Sequence, residues 1–266
     1  MNTHRNKFIL VSAGLLVSGV ANAASGPAAE FINYYKIILS SLGLDANTIG
    51  SWVPVAGALF TLTITFLIGS AYSKAVAASA EDISPDGKIG LRAIVESILE
   101  FVHNLGKDII GEKECKSFLP LLVGLFLFIF ISNLSGLVPG FFPATESIDT
   151  NLAMGLIVFV VFNYAGVKEH GLTNYLKTFA GPVAAMMPLI FCIEMVGAFA
   201  RPISLSLRLY GNIFGDHLVL SVFTGLTYLL LPSFLLFFGL LVATLQSFVF
   251  TLLSSIYISI AISHDH

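Results

Sequence analysis

The stretch EMVGAFARPISLSLRLYGNIFGDH, residues 194–217, concentrates charged and titratable side chains between flanks that carry none. No Lys, Arg, Asp, Glu or His occurs in 178–193 or in 218–263. Flanks of this length and polarity are typical of membrane-spanning helices, and a charge inside a membrane is costly and usually functional or paired. The stretch therefore predicts a functional site within the membrane.

The composition of the whole chain supports this class. Of the 266 residues, 56% are hydrophobic and 11% are charged, and the mean hydropathy is +0.89, whereas soluble domains carry about 25% charged residues. The length allows five or six spans of about 20 residues with their loops. No basic surface indicates nucleic acid, and Cys115 and Cys192 indicate neither a disulfide framework nor a metal site.

The N-terminus has the layout of a secretory signal peptide. A basic start precedes a mostly apolar run over 8–20, and Ala21-Asn22-Ala23 follows it as a small-residue cleavage pattern. We interpret 1–23 as a signal peptide and 24–266 as a single membrane domain. An uncleaved anchor is the alternative.

The apolar runs predict an all-α, polytopic membrane protein with five membrane-crossing helices. The predicted spans cover 53–73, 119–138, 151–167, 188–231 and 233–262, with Pro232 ending the fourth. The charged segment 74–118 contains an amphipathic pattern over 89–110 that suits a helix along the cytoplasmic membrane face or on a partner. The last two runs are longer than the ~30 Å membrane core needs, so they predict a long tilted helix hairpin within 182–262.

Positive charges favour one orientation. Eight lysines and arginines fall in the connections 74–118 and 168–177, against Lys36 on the other side. By the positive-inside rule these connections are cytoplasmic. Five spans then place the mature N-terminus outside and the C-terminus in the cytoplasm.

The central stretch has two polar faces when it is drawn as a helix at about 100° per residue. His217 lies about 180° from Arg208, and Asp216 lies about 80° from it. The side chains within about 40° of Arg208 are Glu194, Arg201, Ser204 and Asn212. Such a helix suits a position between a charged partner and a water-filled path.

Arg208 lies near the middle of its predicted helix, and its guanidinium stays protonated under ordinary conditions. Two interpretations remain: internal pairing with Glu194 or Asp216, or a fixed charge offered to a mobile carboxylate elsewhere. Arg201 is interpreted first as an interfacial, snorkelling residue.

The other polar residues each have two interpretations. Asp216 and His217 are candidates for a proton relay, or else they form local hydrogen bonds. Gln246 either packs between helices or belongs to a conducting path.

Three motifs in the chain resemble signatures of subunit a of F-type ATP synthase. They are Asn133-Leu-Ser-Gly-Leu-Val-Pro-Gly140, Arg201-Pro-Ile-Ser-Leu-Ser-Leu-Arg-Leu-Tyr-Gly-Asn212 and Leu245-Gln-Ser-Phe-Val-Phe250. The resemblance implies a stator of the rotary motor in the bacterial inner (plasma) membrane. Its implied partners are a c-subunit ring, peripheral-stalk b subunits, the rest of the complex and membrane lipid. It implies no cofactor, metal or nucleotide site in this chain.

The resemblance also implies roles for single residues. Arg208 matches the essential arginine that separates two proton half-channels and pairs with each ring carboxylate. Glu194 matches an acidic residue toward the cytoplasmic path, and His217 matches a position on the outer path. Asn212 and Gln246 match polar residues near the arginine.

One position departs from the family pattern. Members often carry an ionisable residue seven positions before the glutamine of the last helix, where this chain has Gly239. We therefore expect Asp216 and His217 to supply the outer half-channel. The sequence leaves two alternative functions, a secondary transporter that binds an anion at Arg208 and a membrane scaffold, although no internal repeat indicates a transporter.

Overall fold

The computed structural model describes residues 33–43, 45–78, 90–138, 140–171, 175, 187–226 and 230–263. This part of the chain forms seven α-helices and one 3-10 turn at Ala144–Glu146, without strands. The helices are α1 (Tyr34–Ser41), α2 (Ala46–Ala78), α3 (Leu91–Ile110), α4 (Glu112–Gly136), α5 (Ile148–His170), α6 (Met187–Leu226) and α7 (Leu230–Ile262). The predicted signal peptide, 1–23, and the start of the predicted hairpin, 182–186, lie outside the described residues.

Five helices in the described ranges are long and apolar enough to cross a membrane. Their spans are Thr48–Lys74, Glu112–Gly136, Ile148–His170, Pro188–Phe223 and Ser233–Ile262. This confirms the predicted all-α architecture with five crossings. α6 has 40 residues and α7 has 33, or about 60 and 50 Å at 1.5 Å per residue. Both are longer than a core of ~30 Å, and tilt stays the expectation for this hairpin.

The predicted helix end at Pro232 is wrong. α6 ends at Leu226, and Pro232 stands in the first turn of α7. The first amide groups of a helix have no acceptor within it, so proline is tolerated there although it lacks an N–H. Pro202, in contrast, lies inside α6, which continues through it.

The amphipathic helix α3 packs against α4 and α7. Val102 is fully buried, and Ser259 Oγ donates to the carbonyl of Ile109 at 2.8 Å, which ties α3 to the C-terminal end of α7. Within the predicted segment 74–118, α2 ends at Ala78, α3 covers Leu91–Ile110 and α4 begins at Glu112. We call this end of the bundle the α3 side.

The opposite end, the α1 side, carries the connection between α4 and α5. The backbone N–H of Tyr34 donates to the carbonyl of Gly140 at 3.0 Å, and the ring of Phe141 stacks on Phe60 with centroids 5.4 Å apart. Ala144 is fully buried. This connection, 140–147, is therefore packed into the protein by α1 and α2.

The hydrophobic core lies where α3 to α7 meet. Its fully or almost fully buried side chains include Leu122, Ile129, Phe162, Leu209 and Phe250. A row of buried hydroxyls runs along α7, and each donates to the carbonyl four residues earlier; they are Ser247, Thr251, Ser254 and Ser255. Small polar residues of this kind allow close helix packing within a membrane.

α5 and α6 approach each other closely at Gly155. A methyl group there would lie 2.5 Å from Ser206 Oγ and 2.8 Å from the carbonyl oxygen of Pro202. Ser206 Oγ bonds that same oxygen at 2.7 Å and the carbonyl oxygen of Asn151 at 2.9 Å. This crossing determines which face of α6 is turned into the bundle and which is turned out.

Candidate functional site

Arg208 lies on the outward face of α6. Leu205 and Ser206 on the inward face are almost fully buried, whereas Ser204 and Arg208 are exposed. Within the described ranges Arg208 forms no hydrogen bond or ion pair, so pairing with Glu194 or Asp216 is not supported. Its guanidinium is a permanent charge in the span 188–223 that faces away from the protein.

One helical turn further along, Asn212 joins α6 to α7. Its Nδ2 donates to Oε1 of Gln246 at 2.7 Å, and Gln246 is buried. Gln246 therefore forms a hydrogen bond across the α6–α7 interface. The same bond extends the polar stripe from Arg208 across the α6–α7 interface.

Arg201 is turned toward the bundle and is surrounded by aromatic rings. Its guanidinium carbon lies 5.9 Å from the centroid of Phe162 and 5.6 Å from that of Tyr257, which are cation–π distances. Burial raises the pKa of Tyr175, and the charge of Arg201 acts in the opposite direction. The two arginines of α6 thus have different surroundings, since Arg201 is held by aromatic groups and Arg208 is exposed.

Glu194 lies on the same helix as Arg208 but far from it. It is exposed near the α3 side, about 20 Å from Arg208 along the axis at 1.5 Å per residue. The predicted stripe is therefore an extended row of polar groups and not a compact cluster.

His217 lies on the opposite face of α6, as the helical phase predicts. Its Nδ1 is 3.3 Å from Oε2 of Glu146 in the 3-10 turn, and the ring of Phe142 meets it edge-on with centroids 5.9 Å apart. Asp216 is partly buried and forms no hydrogen bond or ion pair with the described residues. The structure therefore gives His217 a carboxylate partner that the sequence did not indicate.

A buried polar network holds the turn that carries Glu146. Thr145 Oγ1 lies 2.6 Å from Oδ1 of Asn133 and 3.3 Å from Oγ of Ser132. Nδ2 of Asn151 donates to the carbonyl of Thr145 at 2.7 Å. The network connects α4, the turn and α5, and Asn151 in turn contacts Ser206 of α6. Asn133 lies in one of the three quoted motifs, but nothing in the sequence indicated its partners.

Leu137, the residue that follows α4, packs against Gly239 on α7. A methyl group on Gly239 would lie 2.9 Å from Cδ2 of Leu137. Leu137 thus fills the space beside α7 where a longer side chain at 239 would begin. In the residues that the structure describes, no group of three or more His, Cys, Asp or Glu is placed to hold a metal ion.

Comparison with known proteins identifies the family. A family model described as ATP synthase A chain matches residues 46–259. The chain belongs to the ATP synthase subunit a family. Among its relatives, ATP synthase subunit a of Bdellovibrio bacteriovorus is 42% identical over 199 residues, which cover 75% of this chain and 86% of that protein. Subunit a of Citrifermentans bemidjiense is 39% identical over 237 residues, 89% of this chain and 97% of that protein.

Membership of the subunit a family confirms the resemblance found in the sequence. The chain is a multi-pass membrane protein and part of an ATP synthase complex, with a proton-translocating role in its membrane sector. Family membership therefore argues against both alternative functions, the stand-alone secondary transporter and the membrane scaffold.

Proposed function

We propose that this subunit a is the stator of the rotary motor, with two proton half-channels beside a ring of c subunits. The observation that supports this most strongly is Arg208, an outward-facing guanidinium without a partner in the described chain, in the middle of a long span. A charge in this position is costly in lipid. A partner molecule that offers carboxylates to this face would remove that cost.

In this mechanism Arg208 acts as a fixed cation that a moving carboxylate visits. A deprotonated ring carboxylate is attracted to the guanidinium, and a low-dielectric membrane strengthens that attraction. A free proton is repelled by the same charge, and Arg208 does not lose its own proton under ordinary conditions. Protons therefore cross only when they are bound to the ring, and this couples proton flow to rotation.

The polar groups on either side of Arg208 belong to the two paths. Glu194, toward the α3 side, serves the cytoplasmic half-channel. His217 and Asp216, toward the α1 side, serve the outer one. The place where the ring carboxylate meets Arg208 is lined by Ser204, Asn212 and Gln246. The structure supports this because these residues lie on the outward stripe or at the α6–α7 interface. Arg201 stabilises the inward side of α6 through its aromatic contacts.

The proposed orientation follows the lysines and arginines. The α3 side carries the positively charged connections, so it is cytoplasmic, and the α1 side is outside. The membrane is the bacterial inner membrane, and the other direct partners are the peripheral-stalk b subunits.

A cross-linking experiment tests the position of the ring. Cys115 and Cys192 are replaced, a cysteine is introduced at Ser204, and another is placed beside the carboxylate of the c subunit. Ser204 is exposed one turn from Arg208, so oxidation in membranes should give an a–c product. Val160→Cys is the matched control, since Val160 is exposed on α5. A product from position 160 and none from 204 would place the ring on another face and contradict the proposal.

A further inference from the structure

Glu146 is the carboxylate that contacts His217, and it comes from outside the long helices. Both side chains are partly buried, and Oε2 of Glu146 is 3.3 Å from Nδ1 of His217. Oε2 is out of contact with solvent and has no hydrogen bond of ordinary geometry to the described residues. An unpaired buried carboxylate oxygen is unfavourable, so this site is stabilised when a proton lies between the two groups.

The second nitrogen of His217 lies beside the C-terminal end of α4. A methyl group on Gly136 would lie 3.3 Å from Nε2 and 2.8 Å from Cγ of Pro143, so the absence of a side chain at 136 lets the imidazole approach the helix end. Imidazole can take up a proton at one nitrogen and release one from the other near neutral pH. His217 thus has one nitrogen close to a carboxylate and the other beside Gly136 at the end of α4.

The residue next to Glu146 belongs to a buried hydrogen-bonded network. Thr145, immediately before it, is fully buried and bonded to both Asn133 and Asn151. Asn133 Nδ2 and Asn151 Oδ1 are buried and have no partner in the described chain. A donor and an acceptor of this kind suit ordered water, which needs two to four polar partners. Non-helical backbone at membrane depth is tolerated where it is buried in protein or lines a wet cavity.

We propose that Glu146 and His217 form a proton-relay pair in the half-channel on the α1 side. This inference rests on the proposed function. Glu146, as the carboxylic acid, passes its proton to Nδ1 of His217 and becomes a carboxylate. The imidazolium then releases its Nε2 proton to water or to a ring carboxylate. Glu146 takes a new proton from outside, and tautomer exchange through water resets the imidazole.

The relay supplies a titratable pair to a region where α7 has none. Leu137 occupies the space beside Gly239, and no Lys, Arg, Asp, Glu or His occurs in 218–263. The other charged groups nearby are Asp216, next to His217 in sequence, and Asp149, which is exposed in the first turn of α5. Among the described residues no lysine or arginine forms an ion pair with Glu146, so the imidazole of His217 is its basic partner there.

Glu146→Gln tests the relay, because glutamine keeps the size and hydrogen-bonding capacity of the side chain but cannot release a proton at neutral pH. Inverted vesicles with equal amounts of assembled complex are assayed for ATP-driven pumping. We expect a loss of about 100-fold or more, the scale of removing a proton-transfer group. Asp149→Asn removes an exposed carboxylate three residues away and should pump at the wild-type rate.

A double variant separates a relay from two independent effects. If Glu146 and His217 act in series, Glu146→Gln with His217→Asn should pump no more slowly than the slower single variant. Losses that multiply would contradict the relay, and so would wild-type pumping by assembled Glu146→Gln. Should the glutamine variant not assemble, Glu146→Asp replaces it. The relay is supported if Glu146→Asp still pumps and Glu146→Ala does not. Equal pumping rates in these two variants overturn it.

Arg208→Ala in the same vesicles distinguishes the relay from the proposed function. If Arg208→Ala stops pumping and Glu146→Gln does not, only the relay is wrong. If neither variant affects pumping, the stator mechanism itself is wrong.

Discussion

Replacing Arg208 with alanine stops ATP-driven proton pumping by the assembled complex. The variant removes the fixed charge from the outward face of α6 and leaves its inward contacts, including Leu205 and Leu209, unchanged. Ring carboxylates then have no cation to stabilise their deprotonated form. We expect a drop of about 100-fold or more, the scale seen when a group that acts directly on the developing charge is removed.

Two comparison variants show whether the loss comes from the charge and its geometry. Arg208→Lys keeps a positive charge but loses the planar fork that matches a carboxylate, so it should remain strongly impaired. Leu207→Ala changes an exposed neighbour on the same helix and should pump like wild type. Acidification of inverted vesicles measures all three, and normal pumping by Arg208→Ala would make this arginine a structural charge.

Gly155→Ala destabilises the subunit, although alanine is the better helix former. The added methyl would lie 2.8 Å from the carbonyl oxygen of Pro202, and a backbone atom of α6 cannot move aside as the end of a side chain can. Overpacking of this kind typically costs about 1–3 kcal/mol. The midpoint temperature for loss of subunit a from the detergent-solubilised complex should fall.

Gly124→Ala is the matched control for Gly155→Ala. Gly124 lies in a membrane-spanning helix as well, and nothing lies within 4 Å of a methyl group placed on it. This variant should be neutral, or more stable by about 0.5–1 kcal/mol because glycine is unfavourable inside helices. Equal midpoint shifts for both variants would show that the α5–α6 crossing at Gly155 is looser than the structure indicates.

Most of the predicted site followed from the angular positions of its residues around one helix. A helix turns by about 100° per residue whatever surrounds it, so the sequence alone placed Ser204 with Arg208 and put His217 on the other face. The structure confirms this, because Ser204 and Arg208 are exposed together while His217 meets Glu146. The five spans were predictable for a similar reason, since apolar length is a local property.

The parts that the sequence did not predict are contacts between distant segments. No periodicity relates Glu146 to His217, because a packed turn brings the carboxylate to α6. The aromatic surroundings of Arg201 likewise combine Phe162 of α5 with Tyr257 of α7. Pro232 was misassigned because proline is compatible both with the end of one helix and with the first turn of the next.

Passive proton flux through the Arg208→Ala membrane sector tests the central claim most directly. Vesicles are stripped of the catalytic sector, a potassium diffusion potential is imposed, and proton entry is followed in wild type and variant. If Arg208 separates two half-channels, the variant should conduct protons at least as fast as wild type while it fails to pump. Flux that disappears together with pumping, in a complex that retains its c ring, would show that Arg208 is part of the path and does not separate two paths.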